Sequence, residues 1–261
     1  MAFTYDDSLK TLESQWEIPP SGLNLTPAEV HIWQAALDLP PDRVERLCGL
    51  LSPAERAKAE RFHFERDRRR FIVAHGTLRL ILGRYLAIGP ERVLFRYGEH
   101  GKPFLADKAA RNVLQFNMSH AQELALYAFN LERAIGVDIE YLRPQTDVEA
   151  LAIRFFSPRE SAMLLALPAE QKLAAFFRGW TRKEAYLKAK GVGLSQPLDQ
   201  FTVSFVGDQP ARLLETHNDP EEADRWSLQA LNPAPCYAGA VAVEGHHWAL
   251  KCWQWVESQS Q

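Results

Sequence analysis

One four-residue pattern occurs twice and constrains the fold more than any other feature: Ser52-Pro53-Ala54-Glu55, and later Ser157-Pro158-Arg159-Glu160. In each, the serine can cap a helix, the proline suits the first helical position and the glutamate reaches back to the cap, so each predicts a helix start. The first helix is expected to run through Lys58, Arg61 and Phe62. A second apolar-periodic segment follows, with Phe71, Ala74, Leu78, Ile81, Leu82 and Tyr85 on one face, and Gly89-Pro90 stops it. Strand-like stretches come next at Val93 to Tyr97, Val113 to Met118, Leu124 to Asn130 and Ala134 to Ile139. The second Ser-Pro-x-Glu restarts the scheme. A helix from Phe176 to Ala189 ends at Gly191, and strands follow at Phe201 to Val206, Trp226 to Ala230, Tyr237 to Val243 and Trp248 to Trp255. Val30-His31-Ile32-Trp33 reads either as a strand or as the first turn of a helix capped by Thr26-Pro27-Ala28-Glu29, with the strand preferred. The repeated order predicts an α+β fold of two similar subdomains related by a pseudo-two-fold, 1–140 and 141–261. Each is an antiparallel sheet packed on a long helix, and the cleft between them is the place for a ligand.

With 46% hydrophobic and 24% charged residues the chain can build a packed core. A net charge of only -3 disfavours a generic polyanion binder, so no nucleic-acid partner is expected and any phosphate site must be local. Apolar runs fall short of the ~20 residues that span a bilayer, and MAFTYDDSLK has neither a basic nor an apolar leader region. A cytoplasmic protein without membrane contact is expected. Cys48, Cys236 and Cys252 are scattered and odd in number, which argues against a disulfide framework and a structural zinc site.

Chemistry concentrates in a few places. In Gly136-Val137-Asp138-Ile139-Glu140 the strand period of two puts both carboxylates on one face. There they either face water on a solvated edge strand or meet a hard cation, for which oxygen ligands suggest Mg²⁺. On the helix Trp180 to Lys188, Trp180, Glu184 and Lys188 share a stripe. It is either an exposed Glu-Lys pair or, given the neighbouring Phe176 and Phe177, a surface that faces a metal or phosphate. Arg66 to Arg70, with Lys58 and Arg61 upstream, can hold phosphate or form a solvated helix face. Gly98 to Pro103 is a turn that places Lys102 on a rigid, exposed loop. Asn117-Met118-Ser119-His120 ends a strand without the G-x-S-x-G elbow of a serine nucleophile, so Ser119 and His120 hold a ligand or form a turn.

Gly136-Val137-Asp138-Ile139-Glu140 followed by Trp180-Thr181-Arg182-Lys183-Glu184-Ala185-Tyr186-Leu187-Lys188 resembles the two signature motifs of the phosphopantetheinyl transferase superfamily. Gly101-Lys102-Pro103, Asn117 to His120, Phe155-Phe156-Ser157 and Gly191 to Leu194 resemble the family too. The length and internal repeat are similar to its two-half, monomeric surfactin-synthetase-type branch. The resemblance implies transfer of the 4′-phosphopantetheine arm of coenzyme A to a serine of an acyl, peptidyl or polyketide carrier protein, releasing adenosine 3′,5′-bisphosphate. It implies that Asp138, Glu140 and Glu184 hold Mg²⁺, with Glu160 either a further ligand or only a helix cap. Glu184 would be the general base and Lys188 the neutralising cation. Coenzyme A contacts are carried over to Lys58, Arg70, Gly101, Lys102, Pro103, Asn117, Ser119, His120, Asp138 and Lys188. Two positions depart from the family pattern: Glu55 stands where some relatives have a lysine, and Phe71 where they have a small hydroxyl residue. Arg66 or Arg70 is then expected to help grip the 3′-phosphate.

Two competing readings remain at the level of sequence. One is a catalytically silent coenzyme A or carrier-protein binding module of the same fold; the other is an unrelated metal-dependent nuclease, disfavoured by the near-neutral charge. A docking surface for the carrier is expected around Met163, Leu164, Leu167, Phe176 and Phe177, with Arg159, Lys172 and Arg178 supplying charge.

Overall fold

The computed structural model describes residues 16–107, 110, 113–207, 209–217 and 219–256. The leader-free reading of MAFTYDDSLK falls outside them. Both Ser-Pro-x-Glu sequences cap helices as expected. Ser52 accepts from the Glu55 amide at the start of α2 (Pro53–Ala59), Ser157 does the same for Glu160 at the start of α5 (Pro158–Leu165), and both glutamates complete the reciprocal bond. The first helix stops at Ala59, before Arg61 and Phe62; the apolar segment is α3 (Glu65–Leu86), and the long helix of the second half is α6 (Ala169–Lys190). Two helices go beyond the expected elements: α1 (Pro41–Leu50), which has no side-chain cap, and α4 (Val148–Phe155), whose start is capped by Asp147 accepting from the Ala150 amide.

The strands are β1 (Glu29–Ala36), β2 (Phe95–Tyr97), β3 (Pro103–Leu105), β4 (Leu114–Ala121), β5 (Leu124–Leu131), β6 (Ile135–Tyr141), β7 (Phe201–Val203), β8 (Leu213–Thr216), β9 (Trp226–Leu231), β10 (Tyr237–Glu244) and β11 (Ala249–Gln254). The sheet of the first half has the order β11-β1-β5-β4 and that of the second β6-β10-β9; β2-β3 and β7-β8 form small ribbons. One expectation is corrected here. The first sheet is mixed, because β11 returns from the far end of the chain to lie parallel to β1, pairing Glu29 with Ala249 through Gln34 with Gln254. Likewise β6, which precedes the 140/141 division for most of its length, pairs with β10. The halves thus share strands.

Strand alternation explains why these sheets stack. On β1, Val30 and Ile32 point to one face while Trp33 and Ala35 point to the other; on β5, Leu126 and Ala128 oppose Tyr127 and Phe129. The Trp33, Tyr127 and Phe129 face packs on Leu78, Ile81 and Leu82 of α3, where the Tyr127 hydroxyl donates to the Ala74 carbonyl at 3.0 Å. The Val30, Ile32 and Leu126 face packs on Val137, Ile139, Val241 and Val243 of the second sheet. The outer face of that sheet, with Ala240 and Ala242, covers Ala185 and Ala189 of α6. Helix, sheet, sheet and helix therefore form four layers, burying β5 and β10 on both faces. Among the described residues, no helix is long and apolar enough to cross a membrane, and the three cysteines are free.

Candidate functional site

The site lies where the outer face of β6 meets α6. Val137 and Ile139 enter the inter-sheet core, so Gly136, Asp138 and Glu140 face the helix, as the alternation requires. Gly136 is the contact point. A Cβ there would lie 2.1 Å from the Ala185 carbonyl oxygen and 2.3 Å from the Ala189 nitrogen, so only glycine lets the helix backbone approach this closely. That approach brings the Lys188 ammonium to 2.6 Å from Oδ1 of Asp138. The stripe does not form the exposed Glu184-Lys188 pair considered from sequence: Lys188 is given to Asp138 and, at 2.8 Å, to Oγ of Ser119. Nor is β6 a solvated edge, since Asp138 is only 4% exposed and its Oδ2 is buried without a hydrogen-bond partner.

The first half fixes the other side. On β4, Phe116 enters the core while Asn117 and Ser119 alternate towards β6. Oδ1 of Asn117 accepts from the Val137 amide at 2.9 Å, and Ser119 donates to Oδ1 of Asp138 at 2.9 Å. These bonds tie the edge of one sheet to the edge of the other. A cleft of about 280 Å³ opens beside them, with Gly101, Lys102 and Pro103 on one wall, Asn117 behind, and Glu184 and Lys188 on the other. His100 also lines it, a residue to which sequence reasoning gave no role although it sits inside the Gly98 to Pro103 turn.

Charge in the site is unbalanced in an informative way. Burial, with the nearby Asp138 carboxylate adding, pushes Glu140 up to about 7. Burial and Asp138 likewise raise Glu184. Three carboxyl groups therefore crowd one region with Lys188 and, 3.9 Å from Glu140, Arg143 as the nearby cations. Among the described residues no three acidic, histidine or cysteine side chains already close around one point, so they are not a preformed cage. His120, an exposed residue near the end of β4, has its pKa lowered to about 4 by desolvation beside the strand, with the positive charges of His75, Lys188 and Arg70 adding.

Other expected contacts fall elsewhere. Lys58 lies over the ring of Phe71 at 5.4 Å, and Phe71 in turn packs against His75, tilted by 31° with ring centroids 4.0 Å apart. His75, which has no sequence motif to flag it, thus links Lys58 to the neighbourhood of His120. Arg70 makes a bidentate pair with Asp38, both contacts 2.7 Å, so its fork is committed within the protein. Lys102 corrects the reading of an exposed lysine: the residue is half-buried and its ammonium donates to three backbone carbonyls. Glu160 is fully buried. It caps α5, accepts from the Val203 amide at 2.8 Å and pairs with Lys183 at 2.7 Å, which accounts for both oxygens. Glu55 is its counterpart in the first half, buried and paired with Arg79 of α3 at 2.6 Å and with His75 at 3.2 Å. The expected docking patch is also corrected, because Leu164, Phe176 and Phe177 are core residues packed with Phe156 and Phe205.

A glycine-bearing strand carrying two carboxylates, held against a helix that carries a third and a lysine, defines an enzyme-like cleft between two halves of one chain. Residues 134–250 match the 4′-phosphopantetheinyl transferase superfamily, and residues 40–131 match the family described as 4′-phosphopantetheinyl transferase, N-terminal. The 4′-phosphopantetheinyl transferase HetI of Nostoc sp. is 46% identical over 244 residues, covering 94% of this chain and 100% of the relative. The putative 4′-phosphopantetheinyl transferase slr0495 of Synechocystis sp. is 34% identical, covering 77% of this chain and 78% of the relative, and Sfp of Bacillus subtilis is 34% identical, covering 63% and 70%. The chain belongs to the 4′-phosphopantetheinyl transferase superfamily.

Proposed function

We propose that the protein transfers the 4′-phosphopantetheine group of coenzyme A to a serine hydroxyl of an apo acyl, peptidyl or polyketide carrier protein, acting as a cytoplasmic monomer. The observation that carries this reading is the junction of Asp138, Glu140, Glu184 and Lys188 across the two halves, in a chain of this family. In the reaction the serine Oγ bonds to the phosphorus that bears the pantetheine arm. The pyrophosphate bond breaks, and adenosine 3′,5′-bisphosphate leaves.

Glu184 is suited to take the serine proton, since burial raises its pKa and makes the carboxylate more basic than one in water. Lys188 supplies positive charge where negative charge grows on the leaving phosphate, and Asp138 and Ser119 aim its ammonium. His120, exposed near the end of β4, is suited to donate to a phosphate, while Ser119, its hydroxyl committed to Asp138, acts by holding Asp138 and Lys188 in place. Lys58, over Phe71, extends the basic path towards the nucleotide end. Gly101 to Pro103 and Asn117 wall the cleft that would receive the remainder of coenzyme A.

The residues fit Mg²⁺. Oδ2 of Asp138 is a buried oxygen without a partner, the neighbouring Glu140 and Glu184 carboxyls are held above their ordinary range, and all three donors are hard oxygens. Asp138, Glu140 and Glu184 would hold the ion, which when bound neutralises pyrophosphate charge. Glu160 is excluded from that set by its own buried partners. The two halves, 1–140 and 141–261, then divide the labour: the first supplies the nucleotide walls and the Asp138/Glu140 strand, the second the Glu184/Lys188 helix.

The test is intact-mass spectrometry of an apo carrier protein incubated with coenzyme A, with Mg²⁺ and with chelator. The pantetheine adduct should form only with the metal. Binding of coenzyme A without an adduct would instead identify a silent binding module.

A further inference from the structure

We propose that Lys102 is a positioning residue that holds β6 and α6 in the register at which Asp138 meets Lys188, and that its ammonium does not bind coenzyme A. The inference rests on the reading of that pair as part of a transferase centre. Lys102 sits on a tight turn, closed by the Gly98 amide on the Lys102 carbonyl at 3.0 Å and by the Gly101 amide on the Gly98 carbonyl at 2.9 Å. Gly101 makes the turn possible with φ at +77°. From there the side chain runs inward past Gly191, and Nζ donates to the carbonyls of Ile135 at 3.0 Å, Lys188 at 2.7 Å and Ala189 at 3.2 Å.

An ammonium has three N–H donors, so this set of acceptors uses its whole capacity. The acceptors are not arbitrary. Ile135 opens β6, the strand of Asp138, and one of the two helix carbonyls belongs to Lys188 itself. Both helix carbonyls lie in the last turn of α6, where backbone oxygens lack intrahelical partners and a cation is favoured by the helix dipole. A separate constraint is Gly136, whose contact with Ala185 and Ala189 fixes the distance between strand and helix but not their relative slide. Lys102 supplies that missing restraint from a loop of the first half. Burial lowers its pKa to about 8, which fits an ammonium withdrawn from solvent.

A phosphate ligand and a clamp differ in what their loss does. Steady-state kinetics of Lys102→Met should show kcat lowered about 100-fold, the cost of a misplacement of roughly 1 Å. The KM for coenzyme A should stay within about twofold of wild type, because no ground-state contact is lost. Lys102→Arg, which keeps charge and donors, should recover part of kcat. A raised KM with unchanged kcat would overturn the proposal. A second measurement needs no variant. In ¹⁵N NMR spectra of the wild-type protein, the Lys102 ζ-ammonium should give a slowly exchanging signal that stays in place when coenzyme A is added. Fast exchange, or a large shift on adding coenzyme A, would overturn the clamp even if every variant failed to fold. Absence of holo-carrier formation by the wild-type chain would count against the transferase reading alone, since the NMR signal tests the clamp independently of turnover.

Discussion

The ammonium of Lys188 and Oδ1 of Asp138 are 2.6 Å apart, and Ser119 donates to the same oxygen at 2.9 Å. Three elements, β4, β6 and α6, therefore meet at one carboxylate, and every one of them is positioned by a different part of the core. The Lys188 side chain is 30% exposed and can be solvated if its partner is lost, whereas Asp138 is held in place on both sides.

Asp138→Ala is accordingly expected to abolish transfer while leaving the fold intact, and Lys188→Ala to lower kcat far more than it raises the KM for coenzyme A. Thermal melts and steady-state kinetics on the two variants check this. Full transfer by the wild-type chain in excess chelator would count against the assignment of Asp138 to a metal.

Gly136→Ala tests the strand-helix contact. The added methyl would meet backbone atoms of Ala185 and Ala189, which cannot rotate away as a side chain could. The expected outcome is a loss of stability of about 1–3 kcal/mol or more, with activity falling further than stability because the displaced helix carries Glu184 and Lys188. Denaturant unfolding and transfer rates, measured in parallel, separate the two effects; unchanged activity would show that the contact does not set the site.

Much of this was legible in the sequence because the informative signals are local. Ser52-Pro53-Ala54-Glu55 and Ser157-Pro158-Arg159-Glu160 both cap helices, Gly191 ends α6 with φ at +72°, and the alternation in β6 does separate Val137 and Ile139 from Asp138 and Glu140. What escaped is non-local. No residue of β11 announces that it will lie parallel to β1, since that pairing joins Ile32 to Cys252 across almost the whole chain. The same limit hid Lys102, which looks like an exposed turn residue until Ile135 and Lys188 are folded against it. The apolar residues Leu164, Phe176 and Phe177 were readable as apolar, but whether they face a partner or the core depends on Phe156 and Phe205, which arrive from other elements.

Glu160 and Glu140 separate structural from functional carboxylates. Glu160→Ala would leave the buried Lys183 ammonium without its counter-charge and the Val203 amide without its acceptor, so a loss of about 3–5 kcal/mol is expected. Glu140→Ala removes a carboxyl that burial already penalises, and should cost activity with little or no loss of stability. Urea unfolding of both variants decides the matter. A stable Glu160→Ala protein lacking only metal-dependent activity would return Glu160 to the ligand set.

Glu55 gives the protein part of its acid sensitivity. Burial alone would raise its pKa, but hydrogen bonds from His75, Arg79 and Ser52 outweigh burial and hold it down at about 2, against 4.5 for the free side chain. A carboxylate whose folded pKa is depressed contributes its full stabilisation above the unfolded value, here on the order of 3 kcal/mol, and loses it as pH falls through the folded one. The window is therefore pH 4.5 down to about 2. Glu222, lowered to about 2 by Tyr186, Lys190 and Arg225 against its own burial, acts over the same range, so the wild-type curve alone cannot isolate Glu55. Glu55→Gln can, because glutamine still serves the capping box while carrying no charge to Arg79. The variant should be less stable than wild type at pH 7, with the difference narrowing steadily below pH 4.5 as the wild-type carboxylate is protonated. Chemical denaturation at several pH values measures that difference, and a gap that stays constant from neutral to acid would show that Arg79 does not depend on the charge of Glu55.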